Sequence, residues 1–199
     1  MTTLANGRTT DHDIDPIFPE RWSPRAFTGE AMPQPELMRL FEAARWAPSA
    51  FNGQPWRFVY AHRDTPAWAP LFDILIPYNQ MWVANASVLM FLVSDRFRRV
   101  EGQPPTPMHS HAFDAGAAWA NLALQATRAG WAAHGMVGFD MAKAYETLGV
   151  PEADYRVEAA IAVGRQADTS VLPEALQGRE APSPRVPATS FIMEGHFKV

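Results

Sequence analysis

The pattern of apolar, small and capping residues along the chain predicts four helices. In the first, apolar residues occupy the i, i+3, i+4 and i+7 positions of one buried helical face, and these are Leu37, Leu40, Phe41 and Ala44. Residues 66–76 are a second candidate. The longest predicted helix covers 109–129, is rich in small residues and ends at Gly130. A short helix should begin after Asp140 and end before Gly149, because acidic N-caps and C-terminal glycines mark helix ends.

Three segments have the composition of strands. Residues 55–61 are aromatic and β-branched, residues 87–94 form a continuous apolar run, and residues 156–164 form the last predicted strand. A continuous apolar run of this length is typical of a strand covered on both faces, so helices should flank the sheet. Residues 130–139 form a glycine-punctuated extended segment, and the proline-rich residues 97–108 predict an exposed loop or lid.

Composition limits the classes of function. The chain has 199 residues, a net charge of -4 and a pI near 5.8, which gives no general attraction for nucleic acid or anionic membranes. Residues 1–18 are predicted to be a polar tail without a signal peptide or membrane span, and residues 19–199 a single domain. A cytoplasmic protein is therefore expected. The absence of cysteine excludes disulfides, thiolate metal sites and cysteine nucleophiles.

The first candidate binding motif is basic. Only two of the 17 basic residues are lysines, so arginine, which binds phosphate and carboxylate through a planar fork, dominates. Pro24 keeps Ser23 out of helical geometry, and alternate residues of an extended segment share one face, so Arg21, Ser23 and Arg25 can converge. Two guanidinium groups around one hydroxyl suit a phosphate dianion. A solvated basic turn is the alternative for this motif taken alone.

The second candidate motif is the amide-rich loop at 47–56. Asn52 and Gln54 carry donors and acceptors that match a heterocycle edge with alternating carbonyl and N–H groups. Capping of turn backbone is the commoner role of loop asparagine, and on these residues alone it is favoured.

Other kinds of site have little support. His109 and His111 are two residues apart, diverge on a helix and have no accompanying carboxylate or thiolate cluster, so no metal site is expected. Neither a G-x-G-x-x-G motif nor a P-loop occurs, which argues against a dinucleotide-binding or nucleoside triphosphatase fold.

Together, the two loop motifs change the interpretation. The segments RWSPRAF (21–27) and APSAFNGQPWRF (47–58) resemble the start of the FMN-dependent nitroreductase family, whose usual pattern is R-x-S-x-R-x-F and then A-P-S-x-x-N-x-Q-P-W at this separation. The resemblance continues through the helix at 114–122, the glycine segment and the sequence PRVP at 184–187.

The resemblance implies a fold and an assembly. The fold is an α+β sandwich in which helices flank a central, mainly antiparallel sheet. The assembly is a homodimer with FMN bound in each of two sites at the subunit interface. The C-terminal arm, roughly the last 30 residues, would wrap the partner, since long segments without regular structure usually have such a function.

The resemblance also assigns cofactor-binding residues. Arg21, Ser23 and Arg25, with Trp22 between them, correspond to the positions that hold the phosphate and the nearby ribityl or pyrimidine oxygens. Arg185 corresponds to the basic position that closes over the phosphate. The loop contributed by the other subunit corresponds to Pro48, Ser49, Ala50 and Asn52, with Gln54 as a supporting amide. The segment that faces the flavin near N5 corresponds to Met136, Val137 and Gly138. A position that reads the pyrimidine edge corresponds to Asn79.

The implied chemistry belongs to the flavin, and no protein acid, base or nucleophile is required. NADH or NADPH would deliver hydride to flavin N5, leave, and be replaced by a nitroaromatic, a quinone or a related small acceptor, which predicts ping-pong kinetics. Two alternatives stay open. One is reduction of a specific metabolite such as an enone, an aldehyde or a haloaromatic, and the other is FMN storage or sensing without turnover.

Three departures from the family pattern leave the substrate open. Trp22 stands where a second basic residue is frequent, and Trp119 replaces a position that is commonly polar. His134 ends a stretch that usually contains threonine or cysteine. Its position next to the flavin segment suits a substrate contact and a buried structural histidine equally.

Overall fold

The computed structural model of the protein describes residues 2–3 and 6–197. Seven α-helices occur in the described residues: α1 (Ile17–Glu20), α2 (Gln34–Arg45), α3 (Trp68–Phe72), α4 (Pro77–Val83), α5 (His111–Arg128), α6 (Met141–Leu148) and α7 (Glu174–Gln177). Eight strands accompany them: β1 (Thr2–Thr3), β2 (Thr9–Thr10), β3 (Trp56–His62), β4 (Val88–Asp95), β5 (Phe97–Arg98), β6 (Thr106–Pro107), β7 (Ala132–Met136) and β8 (Tyr155–Gly164). In this part of the chain, no helix has the length and apolar character needed to cross a bilayer.

The centre of the fold is a four-stranded sheet with the order β3-β4-β8-β7, in which every neighbouring pair is antiparallel. All eight residues of β4 are buried. Alternate β4 side chains belong to opposite faces: Val88, Met90 and Leu92 pack with α2 and α5, whereas Leu89, Phe91 and Val93 pack in the core on the other side. The predicted α+β architecture, with a covered antiparallel sheet, is confirmed.

The helix ends follow the predicted chemistry. Leu37, Leu40 and Ala44 are the buried residues of α2. The Asp140 carboxylate caps α6 by accepting a hydrogen bond from the backbone N–H of Lys143 at 3.0 Å. Gly149, with φ of 63°, takes the left-handed conformation that closes this helix.

The helix predicted over 66–76 is wrong in extent, and α4 was not predicted. Only α3 is helical within that range. Ile76 is extended because it precedes Pro77. Pro77 then begins α4, where proline is favoured because the N–H of the first helical residue has no partner within the helix. Within the predicted exposed segment at 97–108, two short strands, β5 and β6, pair with each other.

The beginning of the predicted C-terminal arm packs on its own chain. Leu172 and the α7 residue Leu176 are buried in the core, because two apolar side chains four positions apart reach it together. The extended part of the arm therefore begins after Gly178, later than predicted. Beyond it, Phe191, Ile192 and Phe197 are exposed.

Gly164 at the end of β8 positions the basic motif. A side-chain Cβ at this residue would lie 2.7 Å from Cδ1 and 3.0 Å from Cγ of Phe27, which is itself 1% exposed. Gly164→Ala should therefore lower the free energy of unfolding by about 1–3 kcal/mol through overpacking, as measured by urea denaturation. The control is Gly178→Ala, where nothing lies within 4 Å and φ is -64°. Equal stability of the two variants would contradict this packing.

Candidate functional site

The basic motif is held as an extended segment along the end of β8. The backbone N–H of Ala167 donates to the carbonyl of Ala26 at 2.9 Å, and that of Thr28 to Arg165 at 3.0 Å. These bonds and the buried Phe27 ring fix the residues that follow Arg25. Tertiary contacts therefore position the chain directly after the basic motif.

A polar cavity of about 270 Å³ lies beside this motif and is called here the arginine cavity. It brings together the predicted residues Arg21, Trp22, Ser23, Arg25 and Arg185. Its other lining residues are Arg8, His134, Arg179, Ala181 and Ser183. Residues that are far apart in sequence therefore contribute five guanidinium groups to one small space.

Hydrogen bonds fix part of this lining. Arg21 Nη1 donates to Ser23 Oγ at 3.3 Å, and Arg185 Nη1 donates to the carbonyl of Pro184 at 3.0 Å. Glu180 Oε1 accepts from the backbone N–H groups of Arg25 at 2.6 Å and Ala26 at 2.9 Å. Glu180 Oε2 lies 3.6 Å from Arg25 Nη1. One buried carboxylate thus holds both the backbone and the guanidinium of the motif.

The charge of the cavity is largely uncompensated. Within the described part of the chain, Arg25 pairs with Glu180, whereas Arg8, Arg21 and Arg185 have no carboxylate partner. Burial lowers the pKa of Arg21, and repulsion from Arg8 and Arg185 lowers it further. Arginine still stays protonated in proteins. These like charges would be stabilised by an anion, and a phosphate dianion has the charge and the acceptors to bind several of the guanidinium groups.

A larger, mainly apolar cavity of about 630 Å³ shares Arg21 and Ser23 with the arginine cavity. It is lined by Phe18, by the α5 residues Trp119, Ala120, Ala123 and Leu124, by Gly135, Met136 and Val137, and by Ala159. A Cβ at Gly135 would lie 3.2 Å from Cζ2 of Trp119, so the indole packs directly against this backbone. The two cavities together suit a flat apolar ring system that carries a phosphate.

The predicted flavin segment is divided between two environments. Met136 and Val137 line the apolar cavity, and the Val137 side chain is exposed. Gly138 lies behind them, where a Cβ would come within 2.5 Å of Asn79 Nδ2. Asn79 lines neither cavity and is buried, with Nδ2 donating to the Gly138 carbonyl at 2.8 Å. Its donor group therefore supports the backbone of this segment.

The amide-rich loop does not reach either cavity of its own chain. It is fixed at the start of α5, where the backbone N–H of Ala50 donates to Asp114 Oδ2 at 3.1 Å. Phe51, Asn52 and Gln54 have positive φ values of 53°, 53° and 46°. Such conformations are strained in residues other than glycine, and they cluster at functional sites. The remaining predicted loop residues, Pro48 and Ser49, precede this strained turn, and neither lines the arginine cavity or the apolar cavity.

His134 is a buried histidine that also lines the arginine cavity. Its Nδ1 lies 2.9 Å from the carbonyl oxygen of Pro24, and because a carbonyl only accepts, Nδ1 is the donor. The ring lies 4.6 Å from that of Trp82. Burial is the main cause that lowers the His134 pKa, so the ring is neutral near pH 7 with an unprotonated Nε2.

The His134 pKa predicts an acid-side loss of stability. Because its folded pKa lies below the unfolded value of about 6.5, the unfolded chain binds the proton more readily. This contribution is fully present above about pH 6.5 and is lost as the pH falls toward the folded pKa. Melting temperatures from about pH 5 to 8 should fall more steeply on acidification for the wild type than for His134→Gln. The exposed His12→Gln variant is the control, and identical slopes for all three proteins would contradict the assignment.

Three site residues escaped the sequence analysis. Arg8 and Arg179 line the arginine cavity, and Glu180 orders its motif. The excess of arginine over lysine was the only signal for Arg8 and Arg179, and no signal pointed to Glu180. A composition does not indicate which arginines meet, since that depends on long-range packing.

Known proteins share the sequence and the fold of this chain. The sequence model described as the nitroreductase family matches residues 19–67 and 65–165. Protein DrgA of Synechocystis sp. is 28% identical over 160 residues, which cover 67% of this chain and 74% of that protein. A solved oxidoreductase containing FMN is 45% identical, with a TM-score of 0.94 and 99% of each chain covered. A Desulfovibrio desulfuricans protein solved in complex with FMN is 26% identical, with a TM-score of 0.70, and the match covers 94% of this chain and all of that one.

Proposed function

The chain belongs to the nitroreductase family, and from this premise we propose that it is an FMN-dependent oxidoreductase that uses NADH or NADPH to reduce a small aromatic or quinone-like acceptor. The observation that carries the proposal is the junction of the two cavities at Arg21 and Ser23. An anion-binding space and an apolar space meet at the residues expected to hold the phosphate end of the cofactor. The 45% identical structure, which contains FMN, supports the same cofactor.

The residues present fit FMN at both ends. Arg21, Ser23 and Arg185 would hold the phosphate, and the uncompensated charge of their cavity is what a dianion would neutralise. Trp119, Met136 and Val137 would face the ring system, because they line the adjoining apolar cavity.

When bound, FMN would supply the redox chemistry by accepting a hydride from the nicotinamide and passing it to the acceptor. The chain's own contribution is binding, orientation and exclusion of water. Gly135 lets the indole of Trp119 lie against the backbone of β7, which closes one side of the apolar cavity. Neutral His134 offers an acceptor at Nε2, because Nδ1 is held by Pro24.

A homodimer explains why the amide-rich loop stands apart from the cavities. The strained residues Phe51, Asn52 and Gln54 would contact the cofactor of the partner subunit. The exposed apolar residues Trp46 and Phe113 are available to be covered by a second chain. The exposed end of the C-terminal arm would pack on the same partner.

A mixed dimer tests the exchange of loops. One subunit carries Arg21→Met with Arg185→Met, and the other carries Asn52→Ala with Gln54→Ala. If the loop serves the partner's site, the mixed dimer has one site with both halves intact. It should then retain about half of the wild-type FMN, because the intact site is fully occupied when the FMN concentration is far above the dissociation constant. Flavin absorbance of differentially tagged, co-purified dimers measures this. If the loop served its own chain, both sites would be damaged and no occupancy would be recovered.

Reduction of the purified protein tests the proposed activity. The wild type should be yellow, and anaerobic addition of NADH or NADPH should bleach the flavin absorbance. A quinone or nitroaromatic added afterwards should restore the colour, and steady-state kinetics should give the parallel lines of a ping-pong mechanism. Bound flavin without bleaching would overturn the reductase proposal and leave storage or sensing. Absence of flavin after reconstitution with FMN would overturn both.

A further inference from the structure

Arg8 lies outside the segment that matches the family, which begins at residue 19, yet its side chain lines the arginine cavity. Arg8 belongs to the predicted polar tail at 1–18. The structure instead ties this part of the tail to the basic motif, since Asn6 Nδ2 donates to the Pro19 carbonyl at 2.9 Å and Asn6 Oδ1 accepts from the Arg8 backbone at 3.1 Å.

The Arg8 guanidinium is fixed by carbonyl oxygens on two walls of the cavity. Nη1 donates to the carbonyl of Pro19 at 3.0 Å and to that of Arg21, the first residue of the basic motif, at 2.8 Å. Nε donates to Ser183 at 3.1 Å, on the C-terminal arm. Three of the five N–H donors of the fork are thereby used, and the orientation of the plane is set before any ligand arrives.

The remaining donors and the charge have no protein partner in the described residues. Nη2 bonds to none of them, and Arg8 has no carboxylate within ion-pair distance. Burial and the neighbouring Arg185 both lower the Arg8 pKa, which indicates a charge placed where it is unfavourable without an anion. A residue needed only to clamp backbone would not require a site among like charges.

We propose that Arg8 is a further phosphate-binding residue, which uses Nη2 to bind the phosphate monoester of FMN while its other donors join the basic motif to the C-terminal arm across the cavity. This inference rests on the proposed function. It adds the N-terminal segment to the cofactor site, beyond the positions that the family resemblance supplies.

Two flavins that differ only in the phosphate test the proposal. Dissociation constants for FMN and for riboflavin are measured by flavin fluorescence on apo wild type, Arg8→Met and Arg8→Lys. If Arg8 makes a charge-assisted hydrogen bond to the phosphate, Arg8→Met should raise the dissociation constant for FMN roughly tenfold or more and leave that for riboflavin unchanged. Arg8→Lys should lose less, because it keeps the charge without the fork. Arg39→Met, an exposed arginine on α2, is the matched control and should change neither constant.

Every other outcome overturns the assignment. Equal weakening of both flavins would reduce Arg8 to a structural clamp, and unchanged affinities would remove it from the site. The outcomes for the two proposals can be told apart. A wild type that binds neither flavin overturns the proposed function and this inference with it. If the wild type binds FMN and Arg8→Met binds it equally well, only the inference is overturned.

Discussion

A variant that combines Arg21→Met with Arg185→Met is expected to purify without FMN and to remain colourless after reconstitution. Each guanidinium that bonds to a phosphate contributes about 1.5–3 kcal/mol, so loss of both should raise the FMN dissociation constant roughly 10²- to 10⁴-fold. Methionine preserves much of the stem length and apolar contact, so the change is mainly one of charge and donors. Flavin absorbance and equilibrium dialysis measure the result.

The same variant should be at least as stable as the wild type when both lack cofactor. Arg21 and Arg185 repel each other and have no carboxylate partner in the described residues, so their removal relieves an unfavourable interaction. Melting temperatures of the apo proteins test this, with Arg39→Met plus Arg128→Met as a control that removes two exposed arginines elsewhere. Full FMN retention by the double variant would reject the phosphate assignment, and a destabilised apo protein would indicate a structural role instead.

Glu180→Ala is expected to give the largest loss of stability among the changes near the site. The Glu180 side chain is 2% exposed, and its carboxylate accepts two backbone N–H bonds and pairs with Arg25. Truncation leaves two backbone N–H groups without their acceptor and Arg25 without its carboxylate, which should cost about 3 kcal/mol of unfolding free energy. Urea denaturation of the apo protein measures this cost without a contribution from ligand binding.

Glu180→Gln separates the hydrogen bonds from the charge. Its amide oxygen can still accept from Arg25 and Ala26, so it should be less destabilising than Glu180→Ala. Loss of the negative charge should also leave FMN binding unchanged or tighter, since the cavity becomes more positive. The exposed Glu174→Ala on α7 is the control and should be nearly neutral. If the Gln and Ala variants were equally unstable, the acceptor role of Glu180 would be refuted.

Periodicity and local signals were sufficient for most of the fold. The apolar spacing of α2, the continuous apolar run of β4 and the capping residues of α6 are each signals contained in a short stretch of sequence. The error over 66–76 has a tertiary and a local part. The helix there ends at Phe72 and Leu75 pairs with Phe139 in an isolated bridge, while Pro77 begins a helix of its own after the extended Ile76.

The site was predictable only where a motif was contiguous. Arg21, Ser23 and Arg25 share one face because of their spacing, and the structure places them around one cavity. Arg8 and Glu180 reach the same place through tertiary contacts that no local pattern encodes. The loop containing Asn52 was expected to serve another subunit, and its strained backbone is a property that side-chain types alone do not reveal.

The hydrogen bond from Arg8 to Ser183 joins positions 175 residues apart in the chain. A phosphate bound between these segments would act as a reversible crosslink, because it fastens two ends of a long chain loop whose closure costs entropy. Cofactor binding would then stabilise the native state by mass action and would do so most where the two segments meet. Protection from hydrogen exchange in residues 6–10 and 179–185 should accordingly rise with FMN concentration.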